Sequence, residues 1–123
     1  MANLEASETA RALFDLAPEV RYVAIYQEGS LFLTQRDDLS APSSAESDKY
    51  EELIVNPTVL TLLGQRGNID CGGLEFVLIR YGKFFALVTE LPTGHLTVGI
   101  DAGADALTLA KSIKAMISEG IRS

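Results

Sequence analysis

Residues 74–101 read LEFVLIRYGKFFALVTELPTGHLTVGID and hold three apolar segments that are separated by very short turns. Runs rich in Val, Ile, Leu and Phe that are bounded by such turns are typical of antiparallel strands. The three predicted strands are Leu74–Tyr81, Lys83–Leu91 and His95–Asp101, with turns at Gly82 and at Pro92-Thr93-Gly94. The stretch therefore predicts a three-stranded meander.

The strands of this meander differ in how deeply their two faces are expected to be buried. Successive side chains of a strand point to opposite faces, and the first two strands are apolar at nearly every position. Both faces of these two strands must therefore be covered. The third strand alternates apolar residues with His95, Thr97 and Gly99, which predicts that one of its faces is less buried.

The residues at the start of the chain predict a helix followed by a hairpin. Small and apolar residues recur at helical spacing over residues 6–17, and Pro18 ends this pattern. The hairpin joins the strands Tyr22–Gln27 and Ser30–Arg36 through the tight turn Glu28-Gly29.

A second helix is predicted to begin at Asp48 and to be interrupted at Asn56-Pro57. Because proline has no amide hydrogen, the helix either kinks there or restarts with Asn56 as its cap. We expect Gly64 or Gly67 to end it. Its apolar residues are Tyr50, Leu53 and Ile54 in the first part and Val59, Leu60, Leu62 and Leu63 in the second.

A last helix is predicted from about Asp105. The order helix, two strands, helix, three strands, helix is that of an α+β protein, in which a five-stranded antiparallel sheet carries helices on both faces. The 123 residues are predicted to form one domain, 1–123, with a polar and mobile connection at 37–47. The inward residues of the last helix are predicted to be Leu107, Ala110, Ile113 and Ile117.

The composition favours a soluble, cytoplasmic protein. Hydrophobic residues make up 47% of the chain, yet no apolar run approaches the ~20 residues of a membrane span, so no membrane insertion is expected. The first residues lack the pattern of a signal peptide, and a single cysteine suits a reducing compartment. The net charge of −7 repels phosphate backbones, which argues against nucleic acid as a partner.

No grouping of residues in the sequence points to catalysis, a metal or a cofactor. The one cysteine, Cys71, is expected to be a small buried residue, and the one histidine, His95, is expected to be solvated or bonded to the backbone. A single histidine supplies neither a metal site nor a catalytic triad. We therefore expect a protein that is not an enzyme and that uses no cofactor.

The first strand of the meander carries the clearest indication of function. As the outer strand of the meander it can lie at the sheet edge, where a strand that is apolar on both faces is an aggregation hazard unless something pairs with it. The crowded second helix leads into this strand, so two copies could pair edge to edge and helix to helix about a two-fold axis. The predicted residues of this dimer interface are Val59, Leu60, Leu62, Leu63, Phe76, Val77, Leu78 and Ile79.

The chain resembles the roadblock/LC7 family, the dynein light chain roadblock type. The resemblance lies in the order of elements across nearly the whole chain: the hairpin Tyr22–Arg36, the helix Val59–Leu63, the strands Gly73–Tyr81 and Phe84–Leu91, and the segment Gly94–Gly99 before the last helix. It implies a profilin-like topology in which the edge strand and the second helix form a homodimer interface. It also implies a non-catalytic scaffold or regulator, often one that acts on a small Ras-like GTPase.

A PAS-like sensor of small ligands is the alternative, because such modules share two strands, intervening helices and a three-stranded meander. A sensor requires a cavity between the sheet and the helices with a few convergent polar groups.

Overall fold

The computed structural model describes residues 4–36 and 45–119. Of the predicted mobile connection, residues 37–44 lie outside the described residues, whereas 45–47 belong to a helix. Helices 45–50 and 56–70 and the π-helical turn between them follow without a break, and we call residues 45–70 the long helix. The elements in chain order are α1 (Ala6–Leu16), β1 (Val20–Gln27), β2 (Ser30–Gln35), α2 (Ala45–Tyr50), the π-helical turn (Glu51–Val55), α3 (Asn56–Asp70), β3 (Val77–Arg80), β4 (Phe84–Leu91), β5 (Gly94–Asp101) and α4 (Ala106–Glu119).

The five strands form one antiparallel sheet in the order β2-β1-β5-β4-β3, so β5 lies at its centre. Helices cover both faces. On β5, Val98 points into the apolar cluster shared with α1 and α4, whereas its neighbour Thr97 bonds to Glu52 of the long helix. The predicted α+β architecture is confirmed, and β3 lies at an edge of the sheet as the meander predicted.

The main apolar core lies between the sheet and helices α1 and α4. In α4 the residues Ala106, Ala110, Ile113 and Ile117 face inward, as their spacing of three or four residues requires. Leu107 is 52% exposed, so its predicted inward orientation is wrong. The helix begins at Ala106, and this residue takes the inward position about 100° around the helix from Leu107.

The hairpin between β1 and β2 turns at the predicted residues. Glu28 and Gly29 both have positive φ angles, 51° and 82°. Two-residue loops with positive φ at both positions have a twist that matches the flanking strands. The Glu28-Gly29 prediction is confirmed.

The edge strand β3 is shorter than predicted, since it covers Val77–Arg80 and not Leu74–Tyr81. Before Val77 the chain is joined to β4 by a side-chain hydrogen bond in place of the backbone hydrogen bonds of a regular ladder. The Thr89 hydroxyl of β4 donates to the Glu75 carbonyl over 3.0 Å. The chain therefore stays attached to β4 ahead of β3 without forming a regular strand.

The long helix ends at Asp70, beyond the predicted stop at Gly64 or Gly67. Both of these glycines are buried, and a Cβ at Gly67 would lie 3.2 Å from the backbone of Gly73. Gly67 permits a close approach of the following chain to the helix, and neither glycine ends the helix. The helix is instead terminated at Gly72, whose φ is +83°. The Gly73 amide then donates back to the Gly67 carbonyl over 3.0 Å.

The helix continues through Asn56-Pro57, where a kink or a restart was predicted, by means of the π-helical turn. The Asn56 amide donates to the Glu51 carbonyl, five residues back and not four. Pro57 has no amide to donate to the Leu53 carbonyl, and its ring would crowd that carbonyl in a regular α-helix. The wider turn relieves this crowding, so that the helix keeps its direction across the sheet.

A buried cluster of polar side chains, which we call the Glu52 network, lies beneath this turn. Glu52 Oε1 accepts from Thr97 Oγ1 at 2.7 Å and from Asn56 Nδ2 at 3.3 Å, and it lies 2.8 Å from His95 Nε2. All four residues are at most 2% exposed. A buried carboxylate is costly unless it is hydrogen-bonded, so these contacts fix how the long helix is rotated against β5.

The structure overturns three sequence-based expectations, two of them through this network. β5 is buried on both faces, because the long helix covers the side that His95 and Thr97 occupy. His95 is a core residue and is not solvated. Cys71 is exposed and not buried, because it caps the end of α3 where the chain turns away from the helix.

Within residues 4–36 and 45–119, no helix combines the length and the apolarity that a membrane crossing needs.

Candidate interaction surface

The long helix presents apolar side chains to solvent along α3. Leu62 and Ile69 lie seven residues apart, on one line of the helix, and are 61% and 74% exposed. Leu63 flanks them and is also exposed. We call Leu62, Leu63 and Ile69 the α3 patch. Clusters of exposed apolar side chains are typical of interaction sites, whereas single ones are ordinary.

The interface residues predicted on the helix lie on two different sides of it, one exposed and one facing the sheet. Leu62 and Leu63 belong to the α3 patch, and Val59 is half-buried one turn before Leu63. Leu60 is only 4% exposed, because it lies four residues after Asn56 on the side that faces the sheet. Leu60 is therefore a core residue of the subunit, which corrects its assignment to an outer surface.

The interface residues predicted near β3 lie on both faces of the sheet edge. Phe76 and Leu78 pack against the main core on the α1 and α4 side. Val77 and Ile79 alternate with them and so point to the side of the long helix. All four are half-buried, as expected for a strand with a neighbour on one side only.

The outer edge of β3 offers backbone hydrogen-bonding groups. The Tyr81 amide donates to the Phe84 carbonyl of β4 over 2.9 Å. Because residues of an antiparallel ladder alternate in direction, Leu78 and Arg80 turn their amides and carbonyls away from β4. Among the described strands only β4 neighbours β3, so these groups are available to another strand.

A second exposed apolar group lies in the first half of the long helix, at the apolar residues predicted for that part of the helix. Tyr50, Leu53 and Ile54 are exposed, and we call them the α2 patch. The polar residues Glu52 and Asn56 occupy the inward positions, because they find partners on β5. The apolar residues at this point are therefore on the outside.

One signal in the sequence could have revealed this orientation. The buried residues of the long helix recur every four positions, at Asp48, Glu52, Asn56, Leu60 and Gly64. The residues of such a stripe, spaced four apart, advance by about 40° per repeat around an α-helix of 3.6 residues per turn, so they leave a common face after a few repeats. A π-helical turn offsets part of this rotation. The proline within the stripe was the indication that such a turn was present.

An open groove lies beside the β3–β4 turn. Its volume is about 570 Å³, and its lining is mostly apolar. One wall is formed by the first half of the long helix and the other by the turn that joins β3 to β4. The lining residues are Ser47, Asp48, Tyr50, Glu51, Val55, Tyr81, Gly82, Lys83 and Phe84.

The polar groups at this groove are only partly satisfied within the subunit. Glu51 hydrogen-bonds with Tyr81, yet Glu51 Oε2 is buried without a partner, as is the Tyr22 hydroxyl. Burial and then the neighbouring Glu52 carboxylate raise the pKa of Glu51. Burial and then the charge of Glu51 raise the pKa of Tyr22, so these two groups lie close together. A positively charged hydrogen-bond donor would satisfy Glu51.

No metal site is evident among the described residues, where no three His, Cys, Asp or Glu side chains gather in a suitable way. The Glu52 network uses its histidine and carboxylate for internal bonds. The space between β5 and the long helix is occupied by these side chains, and the groove lies to one side of it.

Solved structures show which fold this arrangement is. The Roadblock/LC7 domain from Streptomyces avermitilis superposes with a TM-score of 0.68 at 17% sequence identity, over 98% of this chain and 96% of that domain. MglB, in a structure with a tetrameric arrangement, gives a TM-score of 0.61 at 12% identity, over 93% of this chain and 88% of that one. MglC from Myxococcus xanthus gives 0.47 at 13% identity, over 89% and 96%.

The first two superpositions span nearly all of each chain, so the protein has a roadblock/LC7-like fold. No protein-family model matches the sequence, and no curated protein matches it. The likeness is therefore one of architecture: a five-stranded sheet with an open edge strand that follows a long helix.

The raised pKa of Glu51 predicts how stability depends on pH. Between the ordinary carboxyl pKa and the raised one, the folded chain keeps a proton that the unfolded chain has released, so stability falls as pH rises through this window. Glu51→Gln keeps the site neutral. We expect the variant to unfold at a higher temperature than the wild type near pH 7, and the difference to shrink on acidification.

Thermal unfolding of the single subunit in dilute solution, followed by circular dichroism, measures this effect. Glu75→Gln changes the net charge equally at an exposed position and serves as the control. A Glu51→Gln variant that is less stable than the wild type at pH 7 would contradict the prediction.

Proposed function

We propose that the protein is a non-catalytic regulator or scaffold that works as a homodimer. The observation that carries this proposal is the placement of the exposed α3 patch on the helix that leads into the unpaired edge strand β3. Two copies related by a two-fold axis would join their β3 strands into one ten-stranded sheet and bury the α3 patches. MglB, whose solved structure has a tetrameric arrangement, supports self-association for a domain of this shape.

The forces available at this interface are complementary. Backbone groups of β3 give direction and register to the pairing, and apolar side chains of α3 supply the free energy of burial. Like charges on the two acidic copies oppose association, but at physiological ionic strength charges beyond about 8 Å are largely screened. Two copies of this acidic chain can therefore associate through an apolar contact.

We further propose that the dimer binds a small Ras-like GTPase. The resemblance of the chain to roadblock/LC7 proteins supports this partner class. Leu53 and Ile54, the α2-patch residues outside the groove, are exposed on the same helix and can take part in binding another protein.

A charge placed in the α3 patch should break the dimer. Leu62→Glu puts a carboxylate at the predicted contact in both copies, and we expect the dimer dissociation constant to rise about tenfold or more. Leu107→Glu is a matched control, since Leu107 is a similarly exposed leucine on the other side of the sheet. Light scattering coupled to gel filtration measures the mass of each variant. A wild-type monomer at micromolar concentration would refute the proposal.

A proline at the free edge should block strand pairing without breaking the β3–β4 ladder. Because the Arg80 amide points away from β4, Arg80→Pro removes a donor that only a second copy would use. The two-fold axis doubles the loss to two hydrogen bonds, about 1–3 kcal/mol in total or on the order of tenfold in dissociation constant. Arg80→Ala retains the amide and is the control. Equal dissociation constants for the two variants would show that β3 does not pair.

Binding to a GTPase can be tested with the small Ras-like GTPases of the source organism. Each is loaded with GDP or with a non-hydrolysable GTP analogue, and binding to the wild-type dimer is followed by interferometry. We expect one GTPase to bind with affinities that differ about fivefold or more between the two nucleotide states. The absence of binding in both states for every such GTPase would refute this part of the proposal and leave the dimer standing.

A further inference from the structure

The groove beside the β3–β4 turn combines an apolar lining with an unsatisfied carboxylate. Exposed Tyr50 and half-buried Val55 give it apolar surface, whereas Glu51 Oε2 is buried and has no hydrogen-bond partner. An occupant that matches both features needs an apolar body and a positively charged hydrogen-bond donor.

The two ends of β3 lie in different surroundings. The strand begins close to the end of α3, because the Gly73 amide bonds to the Gly67 carbonyl and the chain then reaches Val77 within four residues. The strand finishes beside the groove, because Tyr81 and Gly82 line it. When two β3 strands pair antiparallel, the finish of one lies beside the beginning of the other. The end of the partner's α3 is thereby brought to the groove.

The middle and the end of α3 carry the groups that the groove requires. Leu62 and Leu63 are exposed and apolar, and Arg66 follows one turn later. The guanidinium of Arg66 bonds to Asp70 at 2.7 Å, and both side chains are more than 60% exposed. Surface pairs of this kind are weak, so Arg66 can exchange Asp70 for a better-buried carboxylate.

We propose that the groove is half of a shared site that is completed by the second copy of this chain, in which the partner's Leu62 and Leu63 fill the apolar part and the partner's Arg66 bonds to Glu51. This site rests on the homodimer proposed above and occurs twice about the two-fold axis. It gives the interface a polar contact that aligns the two long helices in addition to the pairing of β3.

The single cysteine provides a direct test of this placement. Cys71 ends α3, and Gly82 lies at the β3–β4 turn with open space around the position of a Cβ. Gly82→Cys places a thiol beside the partner's Cys71, and a disulfide requires Cα atoms within about 7 Å. Within one subunit the two thiols lie at opposite ends of β3, so a bond between them can form only across the dimer.

Mild oxidation followed by non-reducing electrophoresis should convert most of the Gly82→Cys protein into a covalent dimer. The wild type, which has Cys71 alone, should remain monomeric on the gel, because the two-fold axis puts the two Cys71 residues far apart. Ser112→Cys adds a thiol of the same size at an exposed position on α4 and should also remain monomeric.

A charge exchange tests the polar contact. Glu51→Arg and Arg66→Glu should each raise the dimer dissociation constant about tenfold, and the double variant should recover most of this loss. Sedimentation equilibrium measures the constants, and circular dichroism checks that each variant is folded. Additive losses in the double variant would overturn the Glu51–Arg66 contact.

Two variants distinguish the shared site from the homodimer itself. A wild-type dimer that is broken by Leu62→Glu, but in which Gly82→Cys does not cross-link, overturns the shared site and keeps the homodimer. A monomeric wild type overturns both. Cross-linking together with recovery in the double variant supports both.

Discussion

The buried carboxylate of Glu52 is the contact on which the rest of the structure depends. Without its donors this group would be a costly charge in the core, and the donors Thr97 and Asn56 come from two different elements, β5 and the long helix. The helix can therefore sit on the sheet in one rotation only. That rotation turns Asn56 and Leu60 inward and leaves Leu62 outside. The apolar outer surface of this protein is thus a consequence of a polar contact in its interior.

This coupling explains why the prediction from sequence succeeded at the sheet and failed at the helix. Strand alternation and short turns are local properties, so they revealed β4, the hairpin turn at Glu28-Gly29 and the edge position of β3. The rotation of the long helix depends on partners that are more than forty residues away in the chain, such as Thr97 for Glu52. The alternation within β5 carries no information about the helix that covers it, and it predicted that the face on which the network lies is less buried.

The candidate surface was partly predictable for the same reason. The crowding of Leu62 and Leu63 beside an edge strand was evident from spacing, but the separation of Leu60 from them required knowledge of which side faces the sheet. The α2 patch and the groove were not predicted, because both follow from the π-helical turn. The only local sign of that turn was Pro57, which is equally compatible with a kink or a restart.

The topology also bears on why the proposed pairing would stop at two copies. Among the described strands, β2 and β3 each have a single neighbour, so the sheet has two edges that could extend. Pairing of β2 with β3 would be head-to-tail and would continue into a filament, whereas pairing of β3 with itself about a two-fold axis closes at once. The end of β2 is tied back to its own subunit, because the Arg36 guanidinium donates to the carbonyls of Val20 and Ala17. The α3 patch lies on the helix that leads into β3, so burial of apolar surface favours the pairing of β3 with β3 over the pairing of β2 with β3.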